Sequence, residues 1–291
     1  MTETTPGDVD ELKAASAQEL HRAVREEGQE ELDRPASSLF WSGLAAGLTI
    51  SASLLAEGTL EAHLPDSPAR PLLAALGYPM GFLLVILGRM QLFTESTITA
   101  MLPLVTAPSR WALLSTLRLW GIVIGANLVG TSLAAAAIVW GWPGDPAIRA
   151  GMIHVSHAVI AFGPFSTLLN AIPAGFLIAI IAWALPNARE QSFFVIFAVT
   201  YLVAIGGFSH SIVGSNEAFV LIFSGEAGAG RVLFGFLVPA ILGNLVGGAG
   251  LFAVLAHAQV KDEMRTGPDL RKKGAARRSA RPQPAARKPL S

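Results

Sequence analysis

Residues 191–224 read QSFFVIFAVTYLVAIGGFSHSIVGSNEAFVLIFS. The stretch is apolar enough to enter a bilayer, yet it is too long for the roughly 20 residues that one spanning helix needs. Its middle carries Gly206-Gly207-Phe208-Ser209-His210-Ser211, followed by Gly214-Ser215-Asn216-Glu217. Polar, glycine-bearing backbone at membrane depth is tolerated only where it lines a cavity or is buried in protein. The pattern predicts a helix, a break holding His210, and a second helical piece.

A similar interruption lies upstream. The apolar stretch 71–93 runs without a real loop into Thr94-Glu95-Ser96-Thr97 and then Ile98 to Leu104, which again reads as a helix, a break and a half-helix. Six apolar stretches are long enough to span, approximately 38–57, 71–93, 111–141, 165–186, 191–224 and 230–258. An internal repeat relates them. Ala46-Gly47 in the first corresponds to Ala174-Gly175 in the fourth, and Asn127-Leu128-Val129-Gly130 in the third recurs as Asn244-Leu245-Val246-Gly247 in the sixth. Three crossings repeated are inverted in the membrane, because an odd number reverses direction. The expected fold is an all-α integral membrane protein with six transmembrane helices in two inverted three-helix repeats, spans two and five broken. Discontinuous helices at corresponding places in inverted repeats point to a transport site near the midplane.

Composition agrees. Of 291 residues, 52% are hydrophobic and only 14% charged, against about a quarter charged in soluble proteins. The same figures exclude disorder. The formal charge of zero hides an uneven distribution: residues 1–34 hold ten acids and four bases, and residues 259–291 hold ten bases and three acids. This divides the chain into an acidic N-terminal tail (1–34), a membrane domain (35–260) and a basic, disordered tail (261–291). The basic tail places both termini in the cytoplasm of a plasma (inner) membrane protein; such a juxtamembrane run binds anionic lipid more simply than nucleic acid. Residues 8–33 predict a helix whose apolar stripe, Val9, Leu12, Leu20 and Val24, is so thin that a solvated tail helix is the simpler reading. The alternative is a helix lying on the membrane or covering a pore mouth. No signal peptide is expected. There is no cysteine, which excludes disulfides and thiolate metal sites. Neither a nucleophile constellation nor a phosphate loop is visible, so no enzyme and no cofactor are expected. His154 and His157 share a helix face, but no carboxylate lies close in sequence to complete a metal site.

His210 is the most informative single residue, because an ionisable group at membrane depth is costly and functional by default. Its imidazole suits donation to an anion or proton exchange with it. Ser209 and Ser211 flank it. In the upstream break, Gln91-Leu92-Phe93-Thr94-Glu95 offers an apolar constriction at Leu92 and Phe93 and a donor at Thr94.

On these residues the sequence resembles the formate/nitrite transporter family. The family's Glu-Leu-Phe-Thr run appears as Gln91-Leu92-Phe93-Thr94, its Gly-Phe-X-His-Ser as Gly207-Phe208-Ser209-His210-Ser211, and its Gly-Asn-X-X-Gly-Gly as Gly243-Asn244-Leu245-Val246-Gly247-Gly248. The resemblance covers about residues 35–260. It implies a homopentamer of aquaporin-like protomers, each with its own pore, passing small monovalent anions or their weak acids. It also implies a constriction at Leu92 and Phe93, Thr94 facing His210, bracing by Asn244, and an N-terminal helix at the cytoplasmic mouth. Departures are Gln91 for the family's Glu, the added acids Glu95 and Glu217, and the lack of Lys or Arg across 150–170 except as His154 and His157 substitute for it. Added carboxylates disfavour anions by Coulomb repulsion. The functional expectation is a channel or secondary transporter with His210 as proton exchanger; a pore for neutral polar solutes and a non-transporting sensor are the alternatives.

Overall fold

A computed structural model describes residues 15–141 and 144–264, and all the regular structure found there is helical. An amphipathic helix α1 (Ala17–Asp33) starts at a capping box, in which Ser16 and Glu19 satisfy each other's backbone N–H groups. Then come α2 (Ala36–His63), α3 (Arg70–Leu87), α4 (Ser96–Thr106), α5 (Arg110–Trp140), α6 (Pro146–Ser156), α7 (Pro164–Asn187), α8 (Ser192–Ile205), α9 (Ser211–Phe223) and α10 (Ala229–Met264). Among the described residues five of these, α2, α3, α5, α7 and α10, are long and apolar enough to cross a membrane; α4, α8 and α9 are apolar but shorter.

Several boundaries move. The upstream helix stops at Leu87 instead of reaching residue 93, so Gln91 to Thr94 lie in the non-helical segment and not at a helix end. The first apolar helix runs on to His63 and the last to Met264. Val9, Leu12 and the basic tail beyond Met264 lie outside the described residues, as does Trp142. Helix α1 is also no solvated tail: Val24 packs in a cluster with Ile98 and Leu102 of α4. Gly28 sits so close that a Cβ there would fall 1.9 Å from the Thr99 carbonyl oxygen.

The two long pairs, α2 with α5 and α7 with α10, pack through the repeated glycines. A Cβ on Gly47 would lie 2.3 Å from the Asn127 carbonyl oxygen, and one on Gly175 would lie 2.2 Å from that of Asn244. Small residues allow this backbone approach, the usual route to helix association in lipid. The outer faces carry exposed apolar side chains, among them Leu114, Phe165, Phe194 and Phe234, as contact with lipid requires.

The helix ends that flank the breaks match bond for bond. After α3, Gly88 N–H donates to Leu84 O, Arg89 to Ile86 O and Met90 to Val85 O; after α8, Gly206 donates to Leu202 O, Gly207 to Ala204 O and Phe208 to Val203 O. The turn needs a left-handed residue, which is Gly207 (φ 62°) in one case and Arg89 (φ 51°) in the other. A non-glycine residue there bears strain of about 1–2 kcal/mol. Arg89 recovers part of it in an exposed ion pair to Glu27 of α1 at 2.9 Å, worth about 0.2–1 kcal/mol. Arg89→Gly is therefore expected to change stability by less than about 1 kcal/mol, because strain relief offsets the lost pair and the added chain entropy. Gly207→Ala introduces strain alone and costs about 1 kcal/mol. Thermal unfolding of the purified variants in detergent checks both.

Candidate permeation site

His210 is the N-cap of α9, and its Nδ1 accepts the Val213 N–H at 3.2 Å. In the neutral ring the proton then sits on Nε2, which donates to Thr94 Oγ1 at 2.9 Å. Thr94 is fully buried and its carbonyl accepts from Thr97 Oγ1 at 2.7 Å. Protonating Nδ1 would set two donors facing each other and place a cation at the positive end of a helix. The arrangement therefore presents a hydroxyl whose oxygen is held by imidazole and whose own proton is available to an acceptor.

Apolar groups surround this pair. The Phe82 ring meets His210 edge-on with centroids 5.0 Å apart. Leu92 and Phe93 are buried in the central core cluster, with Phe208 packed against it. Two asparagines hold the breaks in place. Asn127 Oδ1 accepts from Phe93 N–H at 3.0 Å while its Nδ2 donates to Gly43 O at 2.8 Å and Gln91 O at 2.9 Å. Asn244 Oδ1 accepts from Ser211 N–H at 2.8 Å while its Nδ2 donates to Ala171 O at 2.8 Å and Ser209 O at 3.0 Å. A second tie completes each break, from Gln91 N–H to Ser42 Oγ and from Ser209 N–H to Asn170 O.

The other sequence candidates separate. Ser209 and Ser211 serve the Asn244 brace through their backbone, and the buried Ser211 hydroxyl has no partner among the described residues. Gln91 turns toward α1, donating from Nε2 to Glu31 Oε1 at 2.8 Å and accepting from Ser96 Oγ at 3.1 Å. Glu95 does not join the Thr94–His210 pair; it lines a cavity of about 880 Å³ under α1 with Glu26, Glu27, Glu30 and Glu31, which Arg34, Arg89 and Arg189 offset only in part. Glu217 is buried in α9. His154 and His157 do not form a shared site: His154 Nδ1 meets Glu61 at 2.9 Å and His157 Nε2 meets Glu226 at 3.6 Å. Trp120 donates to Ser96 O, next to the upstream break, and Trp183 packs on His21 of α1.

Helix α1 is tied to the site by titratable groups. Thr99 Oγ1 also donates to Glu31, whose carboxyl is raised above its ordinary 4.5 by burial despite these two donors. His21 Nε2 lies 3.2 Å from His257 Nδ1 in α10. Burial first, and the neighbouring His257 second, lower His21 from 6.5 to about 4. The undocked helix therefore takes the proton more readily. The contribution of neutral His21 to docking is complete above pH 6.5 and is lost as pH falls toward 4. Glu31 acts with the opposite sign, its contribution fading as pH rises through its raised value. Amide hydrogen exchange in α1, corrected for its intrinsic pH dependence, is expected to quicken on mild acidification. His21→Phe should remove that response and leave the opposite one, from Glu31.

The model of the family described as "Formate/nitrite transporter" matches residues 18–258. The chain belongs to the formate/nitrite transporter family. Members are channels and transporters, so this is a membrane transport protein and not an enzyme. It is 38% identical over 258 residues to the inner membrane protein YfdC of Escherichia coli K12, covering 88% of this chain and 83% of that one. It is 27% identical over 259 residues to the uncharacterized transporter YrhG of Bacillus subtilis 168, covering 85% and 95%. Among solved structures it resembles a pentameric formate channel with formate bound (TM-score 0.63, 18% identity, 78% of this chain and 97% of that one). It also resembles a family ion channel (TM-score 0.67, 19% identity, 82% and 96%). These likenesses carry the fold.

Of the residues singled out in the sequence, His210, Thr94, Leu92, Phe93 and Asn244 come together at the two breaks. Asn127 stands in the sequence only as a repeat partner, and Glu31, Asn170, Glu57 and Glu61 carry no local signal. The Asn127–Asn244 identity was the one signal that each break has its own brace.

Proposed function

We propose that the protein is an inner-membrane channel or secondary transporter for small monovalent anions or their conjugate acids, such as formate or nitrous acid. The observation that carries this reading is the Thr94–His210 hydrogen bond, enclosed by Phe82, Leu92 and Phe93 where the two interrupted segments meet. Once the anion has taken up a proton at the mouth of the pathway, the Thr94 hydroxyl, its oxygen already engaged by His210, donates a hydrogen bond to the resulting acid. A weak acid then crosses the apolar walls in neutral form, which avoids a bare charge in low dielectric. In this reading α3 with α4, and α8 with α9, each make one crossing. Six crossings in two inverted repeats follow, with both termini in the cytoplasm. The contact between Gln18 and Glu263 at 2.9 Å supports putting the two ends on one face. The exposed apolar faces and the pentameric neighbour support a homopentamer.

The test is uptake of labelled formate, nitrite and glycerol into proteoliposomes at two pH values. Acid uptake that rises on acidification and falls at least tenfold in Thr94→Ala is expected. A pore for neutral polar solutes is the second reading, favoured by buried carboxylates in place of cations; glycerol uptake without any acid uptake would establish it and end the first.

A further inference from the structure

Two buried acids are unused by this pathway. Glu57 of α2 and Glu217 of α9 are 7% and 8% exposed. Their helices, α2 and α9, are in contact, and Tyr78 of α3 follows Gly77, where a Cβ would lie 2.4 Å from Glu57 N. One turn on from Glu57, Glu61 pairs with Arg70 Nη2 and His154 Nδ1, each at 2.9 Å, and Arg149 of α6, the helix packed against α2, forms no ion pair among the described residues. Among the described residues neither Glu57 nor Glu217 has an ion-pair partner, and Glu57 Oε2, fully enclosed, has no hydrogen-bond partner. Two carboxylates held together out of water without a cation repel and lose solvation, a cost that a bound proton removes.

Their placement gives that proton a use. His210 caps α9 and Glu217 follows seven residues later, so both lie on one helix face, about 10 Å apart at about 1.5 Å rise per residue. Between them, Tyr78 and Phe82 stand one turn apart on α3, with ring centroids 5.4 Å apart, and Phe82 lies 5.0 Å from His210. An aromatic wall thus runs from the carboxyl pair to the Thr94–His210 pair, away from the cavity under α1.

We propose that Glu57 and Glu217 form a proton-exchange station at the end of the pathway opposite α1. It rests on the weak-acid reading above. An arriving carboxylate anion takes the proton of a Glu57 or Glu217 carboxyl: that O–H bond breaks, an O–H bond forms on the permeant oxygen, and the neutral acid passes Phe82. The glutamate is reprotonated from the water on its side, and the step runs in reverse for export. His210 keeps its Nε2 proton throughout.

The test uses Glu57→Gln, Glu217→Gln and the double variant in proteoliposomes, with labelled formate uptake and an enclosed pH-sensitive dye read together. Wild-type protein is expected to move one proton per formate with uptake rising on acidification. Each Gln variant, near-isosteric and without a charge to bury, should assemble normally, lose at least tenfold in uptake and lose most of the pH dependence. Variants that keep the wild-type pH profile overturn the station while leaving the weak-acid reading intact. Wild-type protein that moves no acid overturns that reading. The pair is then tested by infrared difference spectroscopy on the unliganded pentamer, where a protonated-carboxyl C=O stretch absent from the double variant supports it and no such band overturns it.

Discussion

Asn244→Ala is expected to destabilise the protein by about 3 kcal/mol or more, and Asn127→Ala by a similar amount. Each asparagine satisfies one N–H and one carbonyl of a break and ties them to a helix carbonyl, Gly43 O of α2 or Ala171 O of α7. Removing it leaves the N–H and the carbonyl of the break without a partner, at about 1–3 kcal/mol each where water is excluded, and cuts the tie to the neighbouring helix. Lipid gives the freed groups no alternative. The two variants should behave alike, because the bonds of one half repeat those of the other. Asn244→Asp separates bonding from packing: it keeps the acceptor for Ser211 N–H, loses both donors and turns a buried carboxylate toward two carbonyls, so it should be no better than Ala. Thermal stability in detergent and recovery of the assembled oligomer by size-exclusion chromatography read the outcome. A loss under 1 kcal/mol in both Ala variants would show that water or neighbouring helices brace the breaks instead.

How much of this was legible depended on whether the signal was local. The interruption at Gly206 to His210 was readable because glycine, serine and histidine disagree with an apolar span within a few residues. The upstream interruption was placed at Thr94 to Thr97, whereas the helix already ends at Leu87. Its turn is made by Arg89 in a left-handed conformation, and nothing about an arginine announces that. Its glycine counterpart, Gly207, does announce it. The braces were half visible: Asn244 stood in a family-like motif, but its bonds reach Ala171 and Ser209, far off in sequence. Glu57 and Glu61 sat in an ordinary helical pattern, and only packing shows that one is bridged by Arg70 and His154 while the other faces Glu217. The same distance hid the meaning of α1. A thin stripe looked too weak to bury, but Val24, Gly28 and Leu32 fit against α4 and the core because Thr99 and Gln91 offer donors to Glu31.

Charge therefore has a different place in this protein than the resemblance alone suggests. The added carboxylates do not crowd the Thr94–His210 pair. Glu95 and Glu31 belong to the cavity on the α1 side, Glu217 and Glu57 to the opposite side, and the centre between them is aromatic and aliphatic. A passage with acid groups at both ends and an apolar centre offers a bare anion no charge partner on the way across but leaves its neutral conjugate acid unhindered. This is the physical reason for preferring a weak acid to a permanently charged anion as the permeant.

His210→Asn and His210→Gln divide the two jobs of the imidazole, and the largest functional effect is expected here. Asn places its amide where Nδ1 stands, so it caps α9 at Val213 N–H but falls short of Thr94. It should fold like the wild type and lose about 10- to 100-fold in uptake, the equivalent of about 1.5–3 kcal/mol for a buried hydroxyl left without its partner. Gln reaches the Nε2 position and donates to Thr94 without capping, at a cost of about 1 kcal/mol in stability. Neither amide titrates between pH 5 and 8. If His210 acts as a fixed donor through Thr94, His210→Gln keeps the wild-type pH profile at a moderately reduced rate, and His210→Ala, lacking both bonds, is the worst of the three. If His210 instead exchanges protons with the permeant, all three variants lose the pH dependence together. The tautomer fixed by Val213 N–H favours the first outcome: a second ring proton would break the cap that holds His210 against Thr94.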